Sequence, residues 1–164
     1  MKTKRIALWL GALLLPCAFP VASMATTATA TFAVTATVLS TCIIAALPLA
    51  FGNYAPGPTP LNATTTVTVT CTSGTTYNVG LNAGTGSGAT VTLRKMTSGA
   101  NTLGYTIWQD SAHTINWGNT VGTDTVSGTG NGLAQALTAY GQIPANEFSP
   151  AGAYTDTVTA TVTY

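Results

Sequence analysis

Ala28-Thr29-Ala30-Thr31-Phe32-Ala33-Val34-Thr35-Ala36-Thr37-Val38 puts six apolar side chains on one parity and, Ala33 apart, threonines on the other. A period of two belongs to a β-strand, and no helical spacing competes with it. From Thr26 to Thr41 the chain has no Gly, Pro, Asn or Asp that would turn it. A strand over 28–38 reaches ~33 Å at ~3.3 Å per residue, about twice the usual strand length. Its apolar edge needs a long groove.

Upstream, Lys2, Lys4 and Arg5 precede an apolar run from Ile6 to Leu15, then Pro16 and small residues ending Ser23-Met24-Ala25. This predicts a secretory signal over 1–25, cut after Ala25. Its apolar run is far below the ~20 residues that span a bilayer. Cys17 follows Leu14-Leu15-Pro16, without the small residue that a lipoprotein cleavage site wants before its Cys. Cleavage leaves Arg94 and Lys95 against Asp110, Asp124, Glu147 and Asp156, a formal charge of 2 − 4 = −2. So few cations neutralise few phosphates, which argues against nucleic acid and acidic lipid as partners.

Downstream, the 34 threonines and 17 glycines of the 164-residue chain continue the β pattern, with turn formers between strands. Val67, Val69 and Cys71 interleave with Thr68, Thr70 and Thr72. Further strands are expected over 77–82, 90–96, 103–109, 133–143 and 154–164, with a less regular one over 42–51. Three prolines between Gly52 and Asn62, and glycine clusters over 83–89 and 118–132, read as loops. Gly84-Thr85-Gly86-Ser87-Gly88 lacks the lysine and following helix of a phosphate loop. Short strands with such loops point to one all-β sandwich domain over 42–164, preceded by an extension over 26–41.

The segment 154–164 alternates to the last residue, with Tyr154, Asp156, Val158, Ala160, Val162 and Tyr164 on one parity. No sequence remains to form a strand beyond it, so at a sheet edge its backbone invites strand addition. Two readings follow. Strand 28–38 adds to this edge in another copy, or it closes the sandwich of its own chain.

Cys42 and Cys71 are the two cysteines left after export to an oxidising compartment, and a disulfide between them is expected. No C-x-x-C spacing is present, and a lone His113 cannot complete a tetrahedral metal site. Asp110, Ser111 and His113 are too close along the chain for a triad, which converges from separate elements. The same segment reads as a polar turn between Trp108 and Trp117. The dispersed carboxylates supply no acid/base pair. Asp156 shares parity with the apolar face and is expected at the strand's mouth or hydrogen-bonded there. The two tryptophans leave a sugar-binding platform open as a second function class, with core packing as the plainer fate. No enzyme and no cofactor is expected.

Several short motifs occur in a telling order: Ser40-Thr41-Cys42, Phe51-Gly52, Val69-Thr70-Cys71, Tyr105-Thr106-Ile107-Trp108-Gln109-Asp110, Tyr140-Gly141-Gln142-Ile143-Pro144 and the ending from Gly152 to Tyr164. Together they resemble the spore coat protein U domain, which also forms subunits of archaic chaperone-usher pili in Gram-negative bacteria. The resemblance implies an immunoglobulin-like sandwich lacking its final strand. It also implies a periplasmic chaperone and an outer-membrane usher as partners, and assembly into surface fibres for adhesion and biofilm formation. On this resemblance Ala28, Ala30, Phe32, Val34, Ala36 and Val38 form a donor strand for the next subunit. The acceptor groove is bounded on one side by 154–164, and Cys42 and Cys71 match the family's disulfide. The three donor alanines depart from a more branched set. A secreted coat protein assembling without an usher, and a carbohydrate-binding module of the same fold, are the alternatives.

Overall fold

The computed structural model describes residues 24–164; the leader expected over 1–25 lies almost wholly outside them. Eight strands follow one another: β1 (Cys42–Ala46), β2 (Leu61–Cys71), β3 (Thr76–Leu81), β4 (Arg94–Ser98), β5 (Asn101–Trp108), β6 (Val126–Thr129), β7 (Ala134–Ile143) and β8 (Ala160–Thr163). No helix occurs among the described residues, and none is long and apolar enough to cross a membrane. One sheet has the order β1-β2-β7-β5-β4 and the other β6-β3-β8, all pairs antiparallel.

Period-two alternation does the sorting. On β2, Val67, Val69 and Cys71 are buried while the threonines between them are only half-covered. Tyr77, Val79 and Leu81 of β3 meet them, with Leu103, Tyr105 and Ile107 of β5 and Ala139 and Ile143 of β7. Trp117, fully buried, is tied in by its indole N–H to the Val79 carbonyl at 2.9 Å.

Three strands differ from the sequence expectation. The segment 90–96 is strand only from Arg94, because the Thr90 hydroxyl takes the Leu93 amide at 3.0 Å and closes a local turn instead. β6 occupies part of the glycine-rich stretch read as loop. Gly128 is there because the ring of Tyr77 lies 2.5 Å from where a Cβ would stand. The third difference is the ending: only Ala160–Thr163 pairs with β3, while Thr155 exchanges main-chain hydrogen bonds with Thr97 of β4, at 2.8 and 3.1 Å. The segment 155–163 therefore passes from the rim of one sheet to the other. Its side chains still alternate, with Tyr154, Asp156, Val158, Ala160 and Val162 half-buried and the threonines between them exposed.

Residues 28–38 make no ladder, and every residue from 24 to 41 is exposed. Phe32 is 87% exposed and Val34 82%.

Cys42 and Cys71 form a disulfide and face each other directly in the β1–β2 register. It closes a loop with a sequence separation of 29. On the chain-entropy account such a link stabilises by roughly 3 to 4 kcal/mol. A Cys42→Ser, Cys71→Ser chain is expected to lose about that much in denaturant titration. An unchanged midpoint would show that the pair is energetically idle.

Candidate functional site

Two strand edges, of β1 and β8, lie close to each other without pairing. Main-chain bonds Thr72 N–H to Thr41 O and Leu47 N–H to Thr66 O fix which residues of β1 bond β2. By alternation, Cys42, Ile44 and Ala46 turn their N–H and C=O groups away from β2. On the other edge the bond from Asn82 N–H to Thr159 O sets the same parity. Ala160 and Val162 of β8 then turn theirs away from β3. Two rows of main-chain donors and acceptors thus lie on neighbouring unpaired edges within 8 Å of each other, and a strand entering between them must part them to the ~9.6 Å that two strand spacings require.

The floor beside these edges is apolar. A groove of about 460 Å³ is lined by Leu81, Val67, Ile107 and Ala139 below, by Ala46 to Leu49 and Phe51 on one wall, and by Tyr154 to Val158 and Ala160 on the other. A second depression of about 850 Å³ shares Leu49, Phe51, Met96 and Tyr154 with it and runs on past Tyr54 and Pro150. Gly141 of β7 makes the wall possible: a Cβ there would stand 2.6 Å from Leu49 Cδ2 and 3.0 Å from Phe51 Cζ. Without that glycine both side chains would be pushed up into the groove.

Besides threonines, the lining carries Asp156 and Tyr105, which are bonded to each other. The Asp156 carboxylate accepts from Thr85 N–H at 2.7 Å, Thr85 O–H at 2.8 Å, Tyr105 O–H at 2.7 Å and its neighbour Thr157 N–H at 2.7 Å. Gly84 lies so close that any Cβ would collide with the carboxylate, and its φ of +82° suits glycine. Burial pushes the Asp156 carboxyl up, but the hydrogen bonds from Thr85, Tyr105 and Thr157 outweigh it and hold the group below its ordinary value. Burial, with the neighbouring Asp156, raises the Tyr105 hydroxyl, which keeps it a donor.

A folded-state value below the unfolded one means that the carboxylate's contribution is present above the ordinary carboxyl range and lost as pH falls through the folded value. The melting temperature is therefore expected to drop as the pH falls below the ordinary carboxyl range, about pH 4. Asp156→Asn should flatten part of that drop, and an identical pH profile would show that the carboxylate has no such role.

Behind Tyr105 sits Arg94, with no exposed surface. Its guanidinium donates to the carbonyls of Asn82 at 2.8 Å, Val91 at 2.9 Å, Leu81 at 3.0 Å and Trp117 at 2.7 Å. Burial lowers its pKa, while Tyr105, Asp156 and Asp124 counter that. An arginine stays charged throughout. This hub was not singled out from sequence; a single arginine in a Thr-rich strand was the only signal.

Asp110, Ser111 and His113 do not converge as a catalytic set. The Asp110 carboxylate accepts from Thr114 N–H, Thr114 O–H and Ile115 N–H, and these bonds, led by Ile115, keep its pKa low despite some desolvation. The segment is the polar turn expected, with His113 in the left-handed region at φ 56° and its ring edge-on to Trp108 and Tyr140. Trp117 lies in the core and offers nothing to a sugar, so any platform reduces to half-buried Trp108. Among the described residues no group of three His, Cys, Asp or Glu gathers to hold a metal.

The family model described as the spore coat protein U domain matches residues 28–161. Protein U of Myxococcus xanthus is 41% identical over 78 residues, which are 46% of this chain and 43% of that protein. Among solved structures, the fold is similar to a chain of the CsuC-CsuE chaperone-tip adhesion subunit pre-assembly complex from archaic chaperone-usher Csu pili of Acinetobacter baumannii. That match has a TM-score of 0.57 and 28% identity, and it covers 78% of this chain and 40% of that one. The chain thus spans less than half the length of either relative.

Proposed function

From its membership of the spore coat protein U domain family, we propose that this protein is a structural pilus subunit, exported to the periplasm, held by a chaperone, passed to an outer-membrane usher and polymerised at the cell surface. The observation that carries the reading is the pair of unpaired edges of β1 and β8 beside an apolar groove, where a strand can enter between them. The occupant is the strand 28–38 of the next copy. Phe32, Val34, Val38 and the three alanines point down, and the main chain bonds both edges. Burying Phe32, Val34 and Val38 contributes roughly 1.5 to 3 kcal/mol each. Donor and groove are different surfaces of one subunit, so the contact does not close on itself and a fibre grows. Surface fibres of this kind serve adhesion and biofilm formation.

A chaperone strand entering between the same edges keeps the subunit soluble until exchange, which needs no nucleotide or cofactor because one strand replaces another. The test is electrophoresis of the mature protein in SDS without heating. A ladder with one-subunit spacing that collapses on boiling is expected; monomer alone at every concentration would sink the reading.

A further inference from the structure

Resting on that reading, the even-numbered side chains of the donor segment and of the receiving edge can be matched one against one. There are six on 28–38 and six on 154–164. A strand added to the edge places them opposite each other at a common spacing, with Tyr154, Asp156, Val158 and Ala160 lining the groove. Run antiparallel and centred, the match puts Phe32, the largest donor side chain, opposite Ala160, the smallest on the edge; Ala36 falls opposite Asp156 and Ala28 opposite Tyr164, while Val34 meets Val158 and Val38 meets Tyr154. Run parallel, it also sets an alanine, Ala30, over Asp156, but it puts Phe32 on Val158 and Val38 on Tyr164, so the direction is chosen by Phe32 and the register within it by Asp156.

Asp156 sharpens the choice. Its carboxylate lines the groove with four hydrogen bonds drawn from Thr85, Tyr105 and Thr157. A methyl group above it leaves that network and its remaining water in place. A β-branched side chain would press on it and strip the water from a charge. Slipping the antiparallel strand by one repeat in either direction brings Val34 or Val38 over Asp156. It also moves Phe32 off Ala160 onto Val158 or Val162. We infer that Asp156 sets the register of the incoming strand by admitting only alanine at the opposing place, so that Ala36 lies over Asp156 and Phe32 over Ala160. The alanines of the donor are then a fit to this edge and not a weakness of it.

The experiment uses the full mature chain carrying Phe32→Cys together with Ala160→Cys, Val158→Cys or Val162→Cys. All three share the same altered donor, so differences report the edge. After assembly and mild oxidation, boiling in SDS without reductant leaves only covalent ladders. The Ala160 pair is expected to dominate, with the slipped pairs linking about ten-fold less. If ladders form before boiling but link chiefly through Val158 or Val162, the register is wrong and the donor-strand reading stands. If no variant and no unaltered chain gives a ladder before boiling, both fall. Ala36→Val should slow assembly about ten-fold, as a penalty of that size implies, and Ala36→Ser should not. Equal rates for the two would remove Asp156 as the selector.

Discussion

A chain lacking residues 26–38 is expected to fold as the intact one does and to give no SDS-resistant ladder at all. The missing residues contribute nothing to the core. Every residue from 24 to 41 is exposed, and the disulfide at Cys42 remains. What disappears is the only long apolar strand left without a ladder among the described residues. On the proposed donor reading, its three larger side chains would account for roughly 5 to 9 kcal/mol of burial on area grounds, before any main-chain bonds to both edges are counted. That loss should take assembly from complete to undetectable on unheated gels, with the circular dichroism spectrum unchanged. The truncated chain keeps its groove and should still accept the strand of an intact copy, capping fibres at one end. Ladders from the truncated chain alone would mean that another segment is the donor.

Replacing Arg94 with alanine is expected to produce the largest loss of stability of any single substitution. The guanidinium satisfies four carbonyls, of Leu81 at the end of β3 and of Asn82, Val91 and Trp117 in the loops around it. Removing it strands buried acceptors at about 1 to 3 kcal/mol each, though relaxation and water entry recover part of the total. It also opens a cavity. A net loss on the order of 4 kcal/mol lowers Tm by roughly 10 to 15 °C for a domain of this size. Arg94→Met, which refills the volume without donors, separates the two causes. It should recover the packing but little of the stability, and a methionine variant as stable as the parent would show that the carbonyls find other partners. Arg94→Lys should fall between, because one ammonium does not span four acceptors.

The alternation of Thr with apolar residues made the fold class legible, because a period of two leaves no other element and because it runs through Val67 to Cys71 of β2, while along β7 it is the burial that alternates. The disulfide was legible from export and cysteine count. The interruptions were not. Gly128 looked like a loop residue because nothing local reveals that Tyr77 lies across it. Thr90 looked like strand because a hydroxyl's choice between ladder and turn depends on what the chain does next. The segment 154–164 kept its alternation but changed partners midway, and parity carries no record of which sheet supplies the hydrogen bonds. Asp156 was expected at the strand's mouth or hydrogen-bonded there, and it is bonded. Its partners Thr85 and Tyr105, 71 and 51 residues away, were beyond any local pattern. Arg94 stayed hidden for a related reason: carbonyls that need a donor have no signature in the side-chain sequence.

The disulfide also stands where the extension meets the domain, since Cys42 is the first residue of β1 and its partner ends β2. In a fibre pulled from both ends, tension arriving through the extension would reach the domain at Cys42 and act to peel β1, a five-residue edge strand, one hydrogen bond after another. The covalent tie at the first pair hands the load to β2 and through it to β7, the longest ladder among the described residues. Stretching a reduced fibre should then open domains at forces the oxidised one withstands.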